Sequence, residues 1–239
     1  MASSGSIDQK YNDTLGIIQN VGNLNKGFYT SRLDAGVPIC LDNQAYTDSF
    51  EEDEWLKALD KLRKYKDQCL FVVIPDEFGN CEETIKKFHH YKDMASDFPK
   101  AFVAQDRIMD YKNDIPWSEF DCIFIGGNDS HRLGRGGGWA VKEGKRRDKW
   151  VHVGRVNSAR RVIRFWQADS WDGTHLNHQP SDARKFHEAV LQVRAMKSIS
   201  QFDFTDWIGV THPEVKEDDD VGYWNAKVQY TRQYGDDNI

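Results

Sequence analysis

Short apolar runs alternate with longer amphipathic ones along most of the chain. The apolar runs are Leu15–Gln19, Val37–Leu41, Leu70–Pro75, Ala101–Gln105, Cys122–Gly126, Trp150–Gly154 and Ala168–Trp171. Their length and their β-branched and aromatic content predict buried strands. Between them, apolar positions recur at helical spacing over Glu51–Tyr65, Cys81–Met94, Gly138–Arg147, Ser158–Trp166 and Ser181–Met196, several after an Asp, Asn or Ser able to cap. Strand, amphipathic helix, strand is the order of a parallel α/β protein whose sheet is covered by helices.

Polar or glycine residues finish nearly every apolar run: Asp42-Asn43, Asp76, Gln105, Gly126-Gly127, Gly154-Arg155 and Asp172. A doubly wound sheet gathers its chemistry at one switch point, whereas a barrel gathers it from many strand ends at one mouth. The pattern therefore favours a TIM-type (β/α)8 barrel. Seven strand signals are one short of eight, so one strand is expected to be missing or degenerate. The organisation read from the chain is a flexible N-terminus over 1–14, a barrel domain over 15–212 and an acidic polar tail over 213–239. Phe202–Val210 could close the barrel or pack beneath it.

Charge sharpens this picture. The chain carries a net charge of -6, yet its segment 131–164 holds eleven Lys or Arg against two acids. Arg132, Arg135, Lys145, Arg146, Arg147, Arg155, Arg160, Arg161 and Arg164 form the basic set expected to hold a nucleic-acid backbone, without reading its sequence. A solvated helix face is the alternative for such a cluster. Cys40, Cys69, Cys81 and Cys122 show no CxxC spacing and read as reduced, buried thiols. No apolar run is long enough to span a membrane, and the first residues lack a signal-peptide core, so a cytoplasmic protein is expected, in the host cytoplasm if a phage encodes it.

Lys149-Trp-Val-His-Val-Gly-Arg-Val-Asn-Ser158 followed by Gln167-Ala-Asp-Ser-Trp-Asp-Gly-Thr174 reads as a strand, a glycine turn, a basic helix and a second strand that delivers Asp172. Asp172 is either a catalytic acid at a strand end or the cap of an Asp-Gly turn. Taken with Leu41-Asp-Asn-Gln-Ala-Tyr46 and Ile74-Pro-Asp-Glu77, the order of strand ends resembles the guanine transglycosylases, which exchange guanine in a nucleic acid for a 7-deazaguanine. The resemblance covers about residues 37 to 176.

The resemblance implies Asp172 as nucleophile, Asp42 as general acid/base, and Asp169 as a supporting residue. It places Tyr46 as the aromatic that stacks on the base and Asp76 on the base's N1 and exocyclic amine. Gln105 and the Gly127 amide would take O6, with Gly126 beside them at the base; Val153 and Gly154 would floor the pocket, and Asn128 would meet the 7-substituent. The donor and acceptor types suit a guanine edge, which offers two donors and an acceptor. The last cysteine is Cys122, so the zinc subdomain of the tRNA-modifying members is not expected. The chain is more similar to the phage and bacterial enzymes that act on DNA, which makes DNA the preferred partner and tRNA the second. No cofactor is implied beyond the substrate base, guanine or a 7-deazaguanine. A helper protein or a homodimer stays open.

Three other readings remain open. The chain could be a phosphate-binding barrel enzyme of aldolase or isomerase type, with Gly134-Arg-Gly-Gly-Gly138 as a nest opening a helix, although a flexible loop is the simpler reading of such a run. The chain could be a non-catalytic nucleic-acid-binding subunit. It could also be a hydrolase that uses the same carboxylates with water or a metal. His131, His152, His175 and His178 lack the paired spacing of a metal site and read as surface or turn histidines.

Overall fold

Alternation along each strand sends successive side chains to opposite faces of the sheet, and here both faces are covered. The computed structural model describes residues 16–27, 30–45 and 50–200. In chain order these form β1 (Ile17–Asn20), α1 (Val21–Asn25), α2 (Thr30–Asp34), β2 (Ile39–Asp42), α3 (Glu52–Leu62), β3 (Cys69–Val73), α4 (Cys81–Tyr91), β4 (Lys100–Ala104), β5 (Cys122–Ile125), α5 (Asp129–Leu133), α6 (Arg135–Arg146), β6 (Trp150–Val153), α7 (Ala159–Arg164), β7 (Ser170–Trp171), α8 (His175–His178) and α9 (Ala183–Ser200).

All seven strands are parallel, and the sheet order is β1-β2-β3-β4-β5-β6-β7. A doubly wound fold needs the order to reverse at a switch point, and none does. The crossovers follow one sense, so the sheet curls into a half-barrel compatible with a TIM-like fold. On the outer layer Ile39, Leu41, Val72, Phe102, Ile123, Val151 and Val153 join one core with Trp55, Leu59, Phe88 and Val141 of the helices. On the inner layer Cys40, Phe71, Val73, Ala101, Val103 and Cys122 pack against one another. Burying each such aliphatic or aromatic side chain contributes about 1.5–3 kcal/mol. All four cysteines are buried free thiols.

The helices follow the apolar stripe. Trp55, Ala58, Leu59 and Leu62 bury one face of α3, whose first turn carries Glu52, Asp53 and Glu54 against the helix dipole. Asn80 caps α4 by accepting the Glu83 N–H at 3.1 Å. In α6 the stripe is Gly137, Ala140, Val141 and Gly144. A Cβ on Gly144 would stand 2.6 Å from Ile123 Cγ2, so glycine lets this helix lie directly on β5 and β6.

The glycine run 134–138 is therefore not a flexible loop. The helix starts at Arg135, three residues before the expected Gly138, because α5 packs against its first turn: a Cβ on Gly137 would lie 2.2 Å from the Arg132 carbonyl oxygen. The five-residue helices α1, α2 and α5 and the four-residue α8 had no signal in the pattern, since one turn is too short to show a period.

Residues 1–197 group as one compact unit and 198–239 as a second, of which Ser198–Ser200 are described. The expected N-terminus 1–14, the segment Phe202–Val210, the domain boundary at 212 and the tail 213–239 lie outside the described residues. Among the described residues no helix is long and apolar enough to cross a membrane.

Candidate active site

In β2, β4, β5, β6 and β7 the inner-layer parity carries a polar or glycine residue to the C-terminal end; in β3 the chain turns beyond the strand before reaching Asp76. Asp42 is the last residue of β2, Asp76 and Gln105 follow β3 and β4, Gly126-Gly127 follow β5, Gly154 follows β6, and Asp172 follows β7. Of these, Asp42, Asp76, Gln105 and Asp172 lie near one another. Asp42 feels the charges of both Asp172 and Asp76, and Gln105 Nε2 donates to Asp76 Oδ2.

Asp76 is buried, and both of its carboxylate oxygens are engaged. Asn43 Nδ2 donates to Oδ1 at 2.7 Å and to the Ile74 carbonyl at 2.9 Å, while Gln105 serves Oδ2. Gln105 Oε1 in turn accepts the Gly79 N–H at 2.9 Å. Burial raises the Asp76 carboxyl above its ordinary range, and the two amide bonds oppose that rise. Each oxygen keeps a lone pair, so the trio presents an acceptor edge with one spare amide proton on Gln105. Asn43 was given no role from the sequence, where it stood only beside Asp42 at the end of an apolar run.

Glycine permits close packing beside this trio. A Cβ at Gly126 would lie 2.7 Å from Val103 Cγ1, and one at Gly154 would lie 2.8 Å from Phe124 Cε1. Gly127 has φ +74°, and its Cβ position is taken by Asp106 Oδ2 at 2.7 Å. Its N–H has no acceptor among the described residues, which leaves it available to a ligand oxygen.

Asp42 and Asp172 are near enough to feel each other's charge, and they have opposite protonation preferences. Burial, reinforced by the charges of Asp172 and Asp76, pushes Asp42 up to about 7. Burial also acts to raise Asp172, yet the hydrogen bonds from His152 and from the N–H of Arg155 hold it below the usual carboxylate range. Asp172 Oδ1 accepts the Arg155 N–H at 2.8 Å, and Oδ2 lies 3.0 Å from His152 Nε2. Arg155 adopts φ 55°, a left-handed conformation that turns its amide back toward β7. At neutral pH one acid is poised to give a proton and its neighbour stays ionised.

His152 is a correction to the sequence reading, which put it among surface or turn histidines. It is fully buried on the inner face of β6, with its ring against Phe71 and Phe124 at 5.0 and 4.6 Å between centroids. Its Nδ1 lies 2.7 Å from Ser170 Oγ, which also accepts the Trp150 Nε1–H at 2.8 Å. The signal was present as parity, since 150, 152 and 154 share one face of β6. Ser170 is 8% exposed and lies one inward position below Asp172, too deep to be a nucleophile. His131 is also buried, against the Ala104 carbonyl at 3.2 Å, and His175 pairs with Asp182 at 2.8 Å.

Several other expected roles are corrected by position. Val153 packs its side chain into the helix-side core, because its parity is opposite to that of Gly154; it can offer the mouth only main chain. Asp169 precedes the two-residue β7, whereas Asp172 follows it; the Asp169 carboxylate accepts from Lys145 Nζ at 2.9 Å and from the Val151 N–H at 2.9 Å. Asn128 spends its side-chain oxygen capping α5, where it accepts the His131 N–H at 2.9 Å. Tyr46 lies outside the described residues.

The basic segment is split between the two ends. Lys145, Arg146 and Arg147 close α6 at the strands' N-terminal end; Lys145 pairs with Asp169, and both arginines pair with Glu143. A helix that crosses back antiparallel to its strands must end there. At the mouth, Arg132, Arg155 and Arg161 converge on Asp129, the last two at 3.8 and 3.9 Å. Arg132 is 2% exposed and also donates to the Gly127 carbonyl, so it braces the mouth from within. Arg155 also donates to the Gly127 carbonyl, and its guanidinium lies 5.8 Å from the Phe78 ring. Arg135 and Arg160 are exposed at the starts of α6 and α7, and Arg164 donates to the Leu133 carbonyl at 2.8 Å.

The chain matches no protein-family model and no curated protein sequence.

Proposed function

We propose that this protein exchanges guanine for a 7-deazaguanine in DNA through a covalent aspartyl–sugar intermediate, on a (β/α) barrel with one strand missing or degenerate. The observation that carries the reading is the pairing of Asp42, pushed up to about 7, with a nearby Asp172 held below the usual range, both at C-terminal strand ends of a curled parallel sheet.

Asp172 attacks C1′ of the target nucleotide, and the C1′–N9 bond breaks with its electron pair on guanine, which takes the proton of Asp42. The incoming base then gives its N9 proton to the Asp42 carboxylate, N9 bonds to C1′, and the Asp172 ester bond breaks. Two inversions give net retention, and the ester conserves the glycosidic bond energy. Asp76, braced by Asn43, takes the donor edge of the base; Gln105 and the Gly127 N–H take its O6. Tyr46 is assigned to stacking on the base. The target base must be unstacked to reach this mouth, with Arg155 and Arg161 beside it to hold phosphate.

The test is incorporation of labelled guanine or a labelled 7-deazaguanine into DNA, with tRNA in parallel. Exchange into DNA that is lost in Asp172→Ala, with DNA affinity kept within about twofold, is the expected result. Exchange into tRNA alone moves the substrate class. Base release without replacement makes the protein a hydrolase, and undiminished exchange by Asp172→Ala removes the nucleophile assigned here.

A further inference from the structure

We infer that His152 is a positioning residue that aims the Asp172 carboxylate, its tautomer fixed from the interior of the barrel by Ser170 and Trp150. The kinetic part of this inference rests on the transglycosylase reading; the hydrogen-bond geometry does not.

The direction of the chain of hydrogen bonds follows from its two ends. An indole N–H can only donate, so at 2.8 Å Ser170 Oγ is its acceptor. The single hydroxyl proton of Ser170 is then free for His152 Nδ1, 2.7 Å away, which makes Nδ1 an acceptor and places the imidazole proton on Nε2. At the other end an ionised carboxylate can only accept, and Asp172 Oδ2 does so from His152 Nε2–H at 3.0 Å. The reverse tautomer would set two lone pairs against each other at Asp172 and leave the Ser170 hydroxyl proton without an acceptor among the described residues.

The surroundings hold this arrangement. Phe71 of β3 and Phe124 of β5 enclose a ring with no exposed surface, which disfavours both its protonation and its rotation. Among the described residues, His152 of β6, Asp42 at the end of β2 and the buried Cys40 thiol of β2 bear on Asp172, and Asp169, His175 of α8, and Arg194 and Lys197 of α9 line a pocket with it; the Arg155 main-chain N–H meets its other oxygen. With Oδ1 held by Arg155 and Oδ2 by His152, the plane of the carboxylate is set by two elements at once. A nucleophile fixed in this way attacks along one line, and loss of that alignment costs rate more than it costs binding.

His152→Phe fills the aromatic slot and removes the donor, whereas His152→Gln retains a side-chain N–H. The first readout is the carbon NMR titration of the Asp172 carboxyl, which needs no substrate. The second is the pH profile of kcat and of KM for the base. In His152→Phe the Asp172 titration and the acid limb of kcat should both move to higher pH. The value of kcat should fall about ten- to hundredfold, as for loss of a hydrogen bond to a charged group, with KM unchanged. His152→Gln should recover part of both, and Ser170→Ala should show the same direction with a smaller size. An Asp172 titration unmoved in folded His152→Phe overturns the inference, as does an unchanged kcat in an enzyme that exchanges bases. If His152→Phe does not fold, Ser170→Ala decides by the same titration. If the protein exchanges no base, the titration still decides the positioning while the incorporation assay has already removed the transglycosylase reading.

Discussion

Replacing Asp42 with Asn should stabilise the fold at alkaline pH relative to its effect near pH 4. Asp42 titrates at about 7 in the folded protein against an ordinary 3.8, because burial and the charges of Asp172 and Asp76 disfavour its ionised form. Between those two values the folded state binds a proton that the unfolded state has released, so stability falls as pH rises and then levels off. At about 1.36 kcal/mol per pH unit the full displacement is about 4 kcal/mol, and solvent reaching the half-buried carboxyl reduces it to about 2–4 kcal/mol. The Asn side chain is neutral throughout. Its altered hydrogen bonding to the Gln44 N–H, which Asp42 Oδ1 accepts at 3.1 Å, adds a constant offset. Thermal unfolding of both proteins from pH 4 to 9 should therefore show a gap in Tm that widens with pH by on the order of 10 °C and is flat above about pH 8. A gap independent of pH, or one that narrows, would refute a raised Asp42 and with it the proton donor of the proposed reaction.

Gly154→Ala should cost about 1–3 kcal/mol in urea unfolding, since its Cβ would stand 2.8 Å from Phe124 Cε1; an unchanged midpoint would show that the Phe124 ring can move aside. Arg155→Ala with Arg161→Ala should weaken DNA binding and lower the slope of affinity against salt by about two, one for each lost phosphate contact. Arg146→Ala with Arg147→Ala should leave both nearly unchanged, because these residues pair with Glu143 at the opposite end of the sheet. Equal losses from the two double variants would mean that the nucleic acid does not sit at the mouth.

Much of the scaffold was legible along the chain. All seven strands lie where the apolar runs placed them, within a residue or two, and the polar residue ending each run marks the strand's C-terminal end. Period-two alternation is a local property: once Gly154 and Asp172 are placed on the inner face, His152 and Ser170 must share it, and Val153 must not. The same rule applied strictly would have removed Val153 from the pocket and found His152. The short helices were invisible because they carry too few residues for a period.

The sequence by itself determined the parallel α/β alternation, the inward parity of each strand and the carboxylates at the strand ends. Only the tertiary structure decided that Asp42 is raised while Asp172 is lowered, that Asn43 and Gln105 both serve Asp76, and that the basic segment divides between two ends of one sheet. The reason is that desolvation and hydrogen bonding act through space between residues far apart in the chain. His152 and Asp172 are twenty positions apart and become neighbours only because β6 and β7 pair in parallel register.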